Sequence, residues 1–280
     1  MNIQELIHHG SRILKKNDVI SYSLDSEILM SKAIQRDRGY IMLNLNKKVG
    51  KKISDYFKDL IFQRSNHKPI AYILGKKSFW NYEFNISSDV LIPRPDTEIV
   101  VEKVLEITKN KSKQKILDIG TGSGCILLTI LKEKPNFYGT GIDISKKCID
   151  ITRINAIKLG VYDRLKLIKS DIDNFNYGKY DLIISNPPYI KKTDLKYLEK
   201  DVVNFEPILA LNGGLEGLSE IRKVINKASK LIKTKGKLVL EIAFNQKYEI
   251  KKILNEKGFY INSITKDYAA NDRCIVSTKI

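Results

Sequence analysis

The sequence has few of the residues that build disulfide or metal sites. An odd number of cysteines without a Cys-x-x-Cys pair argues against a disulfide framework and against zinc. The few histidines all fall within the first 70 residues, so no cluster of metal ligands is expected. The cysteines are Cys125, Cys148 and Cys274, and the histidines are His8, His9 and His67.

Long apolar runs are also absent. Nowhere do about 18 uncharged apolar residues follow one another, as a transmembrane helix requires. The chain starts Met-Asn-Ile-Gln-Glu, with an acid where a signal peptide carries cations. We therefore expect no membrane partner and a cytoplasmic location. A hydrophobic fraction of 42% argues against global disorder, and the length suits one large α/β domain with a smaller companion.

Acidic residues are scarce relative to basic ones, and the 280-residue chain carries a formal net charge of +17. Such a charge is typical of nucleic-acid-binding proteins. Only nine of the 49 basic residues are arginine, however, and the 40 lysines are spread along the whole chain. We interpret the charge mainly as compositional drift, since an AT-rich genome alone would produce it. A weaker interpretation is an acidic or ribosome-associated partner.

Hydrophobic spacing predicts three regions. Amphipathic patterns within residues 1–70 predict a small N-terminal helical bundle. Residues 71–96 combine Gly75, an aromatic cluster and Pro93-Arg94-Pro95, which predicts a hairpin-like linker. Asp96 is then placed to cap a helix.

Residues 97–280 alternate strand and helix patterns, which predicts an α/β fold with a mostly parallel sheet. The last two strand-like runs have no helix between them, so we expect a hairpin that leaves one antiparallel strand in the sheet. The predicted strands are Ile116–Ile119, Tyr138–Ile142, Leu165–Ser170, Leu182–Ser185, Lys237–Ala243, Tyr260–Ile264 and Cys274–Thr278.

A glycine-rich turn, Gly120-Thr121-Gly122-Ser123-Gly124, follows the first of these strands. Glycines let a backbone approach a ligand closely at the carboxyl end of a strand. Cys125 stands where no glycine completes Gly-x-Gly-x-x-Gly, and Asp118 precedes the turn. Both features disfavour a dinucleotide pyrophosphate. A carboxylate at position 118 suits a ligand that carries an ammonium group.

Two further carboxylates end the next two strands. Asp143 follows the turn at about the distance where an acid binds ribose hydroxyls. Asp171 ends the third strand, where it can accept a hydrogen bond from an adenine amino group. Each residue could instead cap the helix that follows it. Two such acids after a glycine turn favour nucleoside binding.

The segment Asn186-Pro187-Pro188-Tyr189 follows the fourth strand. Two prolines end the hydrogen-bonding ladder and stiffen the backbone. The Asn186 amide and the Pro187 carbonyl can both accept hydrogen bonds from one planar –NH2 group, and Tyr189 can pack against its plane. A simple proline turn is the alternative, but this sequence after a buried strand is rarely only a turn.

Together with the glycine turn, this segment makes the chain similar to methyltransferases that modify –NH2 nitrogens. More closely, the chain resembles the PrmC/HemK family, the release factor glutamine methyltransferases. Near the end, the chain reads Asn271-Asp272-Arg273. The family commonly has a glutamate before the arginine, so Asp272 is a departure from its pattern. The resemblance rests on the glycine turn and on Gly75–Trp80, Leu91–Glu98, Asn186–Tyr189, Phe205–Pro207, Ala210–Gly217 and Asp267–Tyr268.

The resemblance implies a Rossmann-like, seven-stranded domain dependent on S-adenosylmethionine. It implies that the N-terminal bundle docks a class I release factor, whose Gly-Gly-Gln glutamine is methylated at N5. Catalytic roles would fall to Asn186, Pro187 and Tyr189. The implied cofactor-binding residues are Asp118, Gly120, Thr121, Gly122, Ser123, Gly124, Asp143, Asp171, Ile172 and Asn186. The implied substrate-binding residues are Asn186, Pro187, Pro188, Tyr189, Phe79, Arg94 and Glu98.

Three other functions are compatible with parts of this pattern. A nucleic-acid methyltransferase acting on adenine N6 or guanine N2 would present the same –NH2 group to Asn186–Tyr189, but it needs a surface for a flipped base. A binding protein that has lost catalysis would be expected to lose Asn186 or the glycines. An NAD-dependent oxidoreductase is disfavoured by the broken glycine spacing. We expect a monomer that needs neither metal nor nucleic acid.

Overall fold

The computed structural model describes all 280 residues. The chain divides into two compact units. The first consists of Met1–Lys76 and Glu199–Phe205, and the second of Lys77–Leu198 and Glu206–Ile280.

The first unit is helical, as predicted. The helix α1 begins with a capping box, because the Asn2 side chain accepts from the Glu5 N–H at 2.8 Å and the Glu5 carboxylate accepts from the Asn2 N–H at 3.0 Å. One face of each long helix packs into a single core that includes Leu6, Leu29 and Phe57. The helices are α1 Ile3–Lys16, α2 Tyr22–Ile34, α3 Arg38–Leu43, α4 Lys51–Ser65 and α5 Ile70–Leu74.

A buried arginine joins the distant segment Glu199–Phe205 to this unit. Arg64 donates to Asp25 at 2.7 Å and to Asp201 at 2.8 Å. The unit therefore differs from the predicted bundle of residues 1–70. It takes in α5, which packs beside α2 and α4, and it includes a segment from far along the chain.

The second unit holds all the strands. A two-stranded sheet comes first, and a larger sheet with flanking helices follows. The strands are β1 Lys76–Phe79, β2 Tyr82–Asn85, β3 Lys115–Ile119, β4 Tyr138–Asp143, β5 Leu165–Lys169, β6 Tyr180–Ser185, β7 Ile232–Glu241, β8 Phe259–Lys266 and β9 Asp272–Lys279. The helices are α6 Glu98–Ile107, α7 Cys125–Glu133, α8 Lys146–Leu159, α10 Ser219–Leu231 and α11 Lys247–Glu256, and α9 Lys200–Phe205 belongs to the first unit.

The large sheet has seven strands in the order β5-β4-β3-β6-β7-β9-β8. The ladders joining β5, β4, β3, β6 and β7 are parallel, whereas β9 pairs antiparallel with both β7 and β8. The predicted mostly parallel sheet with one antiparallel strand is thus confirmed. Apolar side chains on both faces form two cores, one under each layer of helices. No helix combines the length and the apolarity needed to span a bilayer.

Two local predictions were wrong. Asp96 does not cap α6, because Pro95–Thr97 form a short 3-10 turn that leaves Thr97 at the N-cap position. Proline favours the first position of such a turn because its φ angle is already set. The strand β7 begins at Ile232 rather than at Lys237, since an irregular stretch that lacks strand-like alternation interrupts its pairing with β6.

We expect Asp25→Ala to lower the free energy of unfolding by about 3 kcal/mol, because it leaves the buried Arg64 guanidinium without one of its carboxylates. Urea unfolding followed by circular dichroism would measure the loss. Glu27→Ala is the matched control, because Glu27 pairs with the exposed Arg38, and a surface pair contributes less than about 1 kcal/mol. Equal losses in the two variants would contradict the structural role of Arg64.

Candidate active site

The glycine turn lies at the carboxyl edge of the sheet, between β3 and α7. Its three glycines all adopt left-handed backbone angles, with φ between 58° and 82°. The N–H groups of Gly120 and Thr121 both donate to the Ile142 carbonyl, at 2.9 and 3.0 Å. A Cβ atom at Gly124 would lie 2.8 Å from Leu128 and Thr152, so only glycine lets the turn pack against α7 and α8.

Asp118 lies in β3 just before the turn, and its side chain is 2% exposed. Its Oδ2 atom has no hydrogen-bond partner. Burial raises the pKa of Asp118 to about 7, and the negative charge of Asp143 adds to the effect. A buried carboxyl oxygen without a partner costs free energy. A positively charged ligand group at the turn would remove that cost.

Asp143 ends β4 and is bound to the protein on both oxygens. Oδ1 accepts from the Ser145 N–H at 2.8 Å, and Oδ2 accepts from the Gly122 N–H at 3.0 Å. Burial raises its pKa, although these backbone donors oppose the shift. Asp143 therefore shapes the glycine turn, a role that the sequence pattern did not show. Each carboxylate oxygen can still accept a second hydrogen bond.

Asp171 caps the helical turn that follows it, which was the alternative to its predicted role in adenine binding. Its Oδ1 accepts from the Asp173 N–H at 2.8 Å at the start of the short 3-10 helix Ile172–Asn174. The side chain of Ile172 is half-buried and packs against the core. Adenine binding by Asp171 and Ile172 stays a prediction.

Sequence reasoning missed Asn155, a fully buried residue in α8. Its amide nitrogen donates to the Ser123 carbonyl at 2.9 Å and to the Asn85 carbonyl at 3.0 Å. Its Oδ1 accepts from the Asn85 N–H at 2.7 Å. Asn155 thus joins the β1–β2 hairpin to the glycine turn. The only signal in the sequence was that Asn155, a polar residue, lies on the apolar face of a predicted helix.

Asn186 follows β6, the strand next to β3. Its side-chain nitrogen donates to the Thr97 hydroxyl at 3.3 Å, and Thr97 itself is buried. This bond orients the amide and leaves Oδ1 available as an acceptor. Pro187 and Pro188 carry no N–H, so no donor of their own competes for the neighbouring carbonyls. Thr97 is the second site residue that the sequence pattern did not reveal.

The Tyr189 side chain reaches a buried carboxyl group at the end of β7. Its hydroxyl lies 3.3 Å from Glu241 Oε1, and Glu241 is 1% exposed with no partner for Oε2. Burial raises the pKa of Glu241 to about 7. Burial and the Glu241 charge also raise the pKa of Tyr189.

The loop before α10 packs directly on the backbone of the Asn-Pro-Pro-Tyr segment. Gly213 donates to the Ile190 carbonyl at 2.8 Å. A Cβ atom at Gly213 would lie 2.8 Å from the Pro188 carbonyl oxygen. Gln246 donates to the carbonyls of Tyr189 at 3.2 Å and Gly217 at 2.9 Å. The segment is thus fixed from its outer side by close backbone contacts.

The structure separates Phe79, Arg94 and Glu98 from one another in role. Phe79 is 1% exposed and packs edge-on against Phe84, so it cannot touch a ligand directly. The Glu98 carboxylate accepts from the Trp80 N–H at 2.7 Å. Arg94 is paired with the buried Glu206 and keeps part of its side chain exposed. Substrate binding by Arg94 and Glu98 stays a prediction.

Two protein-family models match the chain. One, described as the PrmC N-terminal domain, matches residues 5–75. The other, described as a methyltransferase domain, matches residues 110–275.

Curated proteins match over the whole chain. A release factor glutamine methyltransferase of Clostridium botulinum is 38% identical, with 100% of both chains covered. The protein of the same name from Clostridium acetobutylicum is 34% identical, with 100% of this chain and 99% of that protein covered. A bifunctional methyltransferase of Rickettsia felis is 34% identical over all of this chain, but the match spans 58% of that longer protein.

Among solved structures, a methyltransferase from Pyrococcus furiosus superposes with a TM-score of 0.53. The sequences are 17% identical, and the superposition covers 81% of this chain and 98% of that one. At this identity the likeness shows only the fold, an α/β domain of Rossmann-like type.

We expect Asp118→Asn to stabilise the ligand-free protein at neutral and higher pH. The folded-state pKa of Asp118, about 7, lies above its ordinary value of 3.8, so the carboxyl group ionises more readily in the unfolded chain. Stability is therefore lost as the pH rises through this window. The variant should recover roughly 1–3 kcal/mol at about pH 8 and almost none at about pH 4.

Urea unfolding across this pH range measures the effect. The matched variant is Glu241→Gln, because the pKa of Glu241 is also raised to about 7 by burial. Glu241→Gln should likewise reduce the loss of unfolding free energy as the pH rises through about 7. A variant whose stability tracks that of the wild-type protein at every pH would refute the raised pKa.

Proposed function

The chain belongs to the family of release factor glutamine methyltransferases, and from that premise we propose the reaction that it catalyses. It transfers a methyl group from S-adenosylmethionine to N5 of the glutamine in the Gly-Gly-Gln motif of a class I release factor. The relatives' names and the match to the PrmC N-terminal domain support this substrate over a nucleic-acid base.

The observation that carries the proposal is the orientation of the Asn186 amide. Its nitrogen donates to the Thr97 hydroxyl, which leaves its oxygen available to accept a hydrogen bond. The Pro187 carbonyl supplies a second acceptor in the same rigid segment. A planar –NH2 group has two N–H donors, and this pair of acceptors matches them. A hydroxyl or thiol substrate would leave one acceptor unsatisfied, which costs free energy.

The residues at the glycine turn fit S-adenosylmethionine. The unpartnered Oδ2 of the buried Asp118 is suited to the ammonium group of its methionine part. We propose that residues 120–124 line that part, that Asp143 binds the ribose and that Asp171 and Ile172 flank the adenine. When bound, S-adenosylmethionine supplies an electrophilic methyl group.

The protein's own task is to prepare a poor nucleophile. The lone pair of an amide nitrogen is delocalised into its carbonyl group. When Asn186 and the Pro187 carbonyl each accept one N–H, they raise the electron density on nitrogen and fix its position, and Tyr189 packs against the amide plane. Such fixation contributes to the rate by proximity and orientation. The nitrogen then gives up its extra proton to water or to a backbone acceptor.

The helical unit has a separate task under this proposal. We propose that it docks the body of the release factor while the Gly-Gly-Gln loop enters the crevice of the second unit. The enzyme then acts as a monomer in the cytoplasm, and nucleic acid is not required for methyl transfer.

Labelled S-adenosylmethionine offered with purified release factor should place label on the Gly-Gly-Gln glutamine, as mapped by mass spectrometry. Replacing that glutamine in the substrate should abolish labelling. Asn186→Ala should lower kcat by at least about 100-fold, because the substrate nitrogen loses an acceptor and its alignment. The affinity for S-adenosylmethionine, measured by calorimetry, should change little. Total RNA and DNA serve as competing substrates, and label on them alone would overturn the proposal.

Thr97→Val should lower kcat about tenfold, the effect of one neutral hydrogen bond, because the Asn186 amide is then free to rotate. Thr97→Ser keeps the hydroxyl and should restore most of the activity. Single-turnover kinetics with release factor would measure both variants. Equal activity of the valine and serine variants would remove Thr97 from the site.

A further inference from the structure

A cavity lies at the edge of the large sheet opposite the candidate active site. It lies at the amino-terminal ends of the parallel strands and has a volume of about 180 Å³. Four lysines from two chain segments line it, and Asp181 is the only acid among its lining residues. The four lysines are Lys111, Lys233, Lys235 and Lys237.

A bulge in β7 builds the cavity wall. Tyr180 pairs with Ile232, and Leu182 pairs with Lys237, so residues 233–236 loop out opposite a single residue of β6. Lys235 adopts a left-handed φ of 63°. This conformation is strained for a non-glycine residue, and such strain is concentrated at functional sites. The lysines are thus held on a defined loop rather than on a frayed edge.

Glycine is required at position 236 for this loop to close. A Cβ atom there would lie 2.8 Å from the Lys233 carbonyl oxygen and 2.7 Å from the Ile232 side chain. The close approach fixes the bulge against the strand beneath it. The cavity therefore has a set shape.

The positive charge in the cavity is not compensated. Asp181 is already engaged, because one oxygen accepts from Lys233 Nζ at 2.6 Å and the other from the Lys115 N–H at 2.8 Å. The ammonium groups of Lys111 and Lys235 have no hydrogen-bond or ion-pair partner. Lys237 Nζ donates to the Thr278 hydroxyl at 2.8 Å, and burial and the nearby Lys111 lower the pKa of Lys237. A bound anion would relieve this repulsion.

The surroundings of the cavity favour a nucleic acid strand as the source of that anion. Lysines recur at every second position from Lys109 to Lys115, and Lys113 lies 5.1 Å from the ring centre of Tyr138. Tyr138 is 45% exposed. Basic grooves bordered by exposed aromatic rings bind single strands, because the ring stacks on a base while the cations neutralise phosphates. A membrane surface would call for exposed apolar anchors instead.

We propose that this cavity binds a phosphate group in the backbone of a nucleic acid strand, with Lys111 and Lys235 as its cationic partners and Tyr138 as a stacking platform for a base. Asn186 and the glycine turn lie at the opposite edge of the sheet, so binding leaves the crevice free. The site does not depend on the identity of the methylated substrate.

Fluorescence anisotropy with a labelled oligouridylate of about 12 nucleotides, a length within the usual range of single-strand sites, tests the proposal. The double variant Lys111→Gln with Lys235→Gln should bind about tenfold more weakly at low salt. The slope of log K against log salt should fall by about 0.7, because the cavity no longer neutralises its one phosphate.

The matched control is the double variant Lys52→Gln with Lys252→Gln, which removes the same charge from two exposed lysines away from the cavity. Equal weakening in both double variants would show attraction by net charge alone and would overturn the proposal, as would wild-type protein that binds no strand. An oligodeoxythymidylate of the same length separates RNA from DNA as the source of the phosphate. Methyl transfer to release factor by the Lys111/Lys235 variant should match the wild-type rate, so failure of this site and failure of the proposed function give different results.

Discussion

The register of three parallel strands, β3, β4 and β6, determines where the glycine turn, Asp143 and Asn186 lie. Ile119 is opposite Ile142 in β4 and opposite Ser185 in β6, so the glycine turn, Asp143 and Asn186 all begin at one level of the sheet. Parallel strands direct their carboxyl ends to the same edge, and ligands bind there in open α/β sheets. A slip of one residue would turn the Asp118 side chain to the other face of β3. The chemistry of the crevice thus rests on the packing that fixes these ladders.

The features that sequence predicted correctly are those encoded in short stretches of chain. The apolar run of β3 with its glycine turn is such a stretch, and so is the late strand pair without an intervening helix. Interactions across long separations stayed hidden. Arg64 and Asp201 are 137 positions apart, and no pattern in the sequence places residues 199–205 with the helical unit. Thr97 orients Asn186 across 89 positions, and no periodicity in the sequence could indicate that bond. The bulge in β7 was missed because its Lys-Thr-Lys-Gly stretch has no apolar alternation.

Two carboxyl groups in the crevice are kept in a state that disfavours charge. Asp118 and Glu241 are both buried with an oxygen that lacks a partner, and both lie near the carboxyl ends of their strands. A protein selected for stability alone would replace such groups with apolar residues. Under the proposed function, the ammonium group of S-adenosylmethionine would give Asp118 a partner, and a ligand that binds only the folded chain stabilises it.

The Asn155 amide couples the local unfolding of two segments of the second unit. Its three hydrogen bonds tie the backbone of Asn85 in the hairpin to the backbone of Ser123 in the glycine turn. If either segment separates from α8, the Asn155 amide loses hydrogen bonds. This costs free energy until water replaces them. Hairpin and turn therefore form one cooperative unit, or foldon. Slow hydrogen exchange at the Asn85 amide would therefore indicate that the glycine turn is also ordered, although the two segments belong to different sheets.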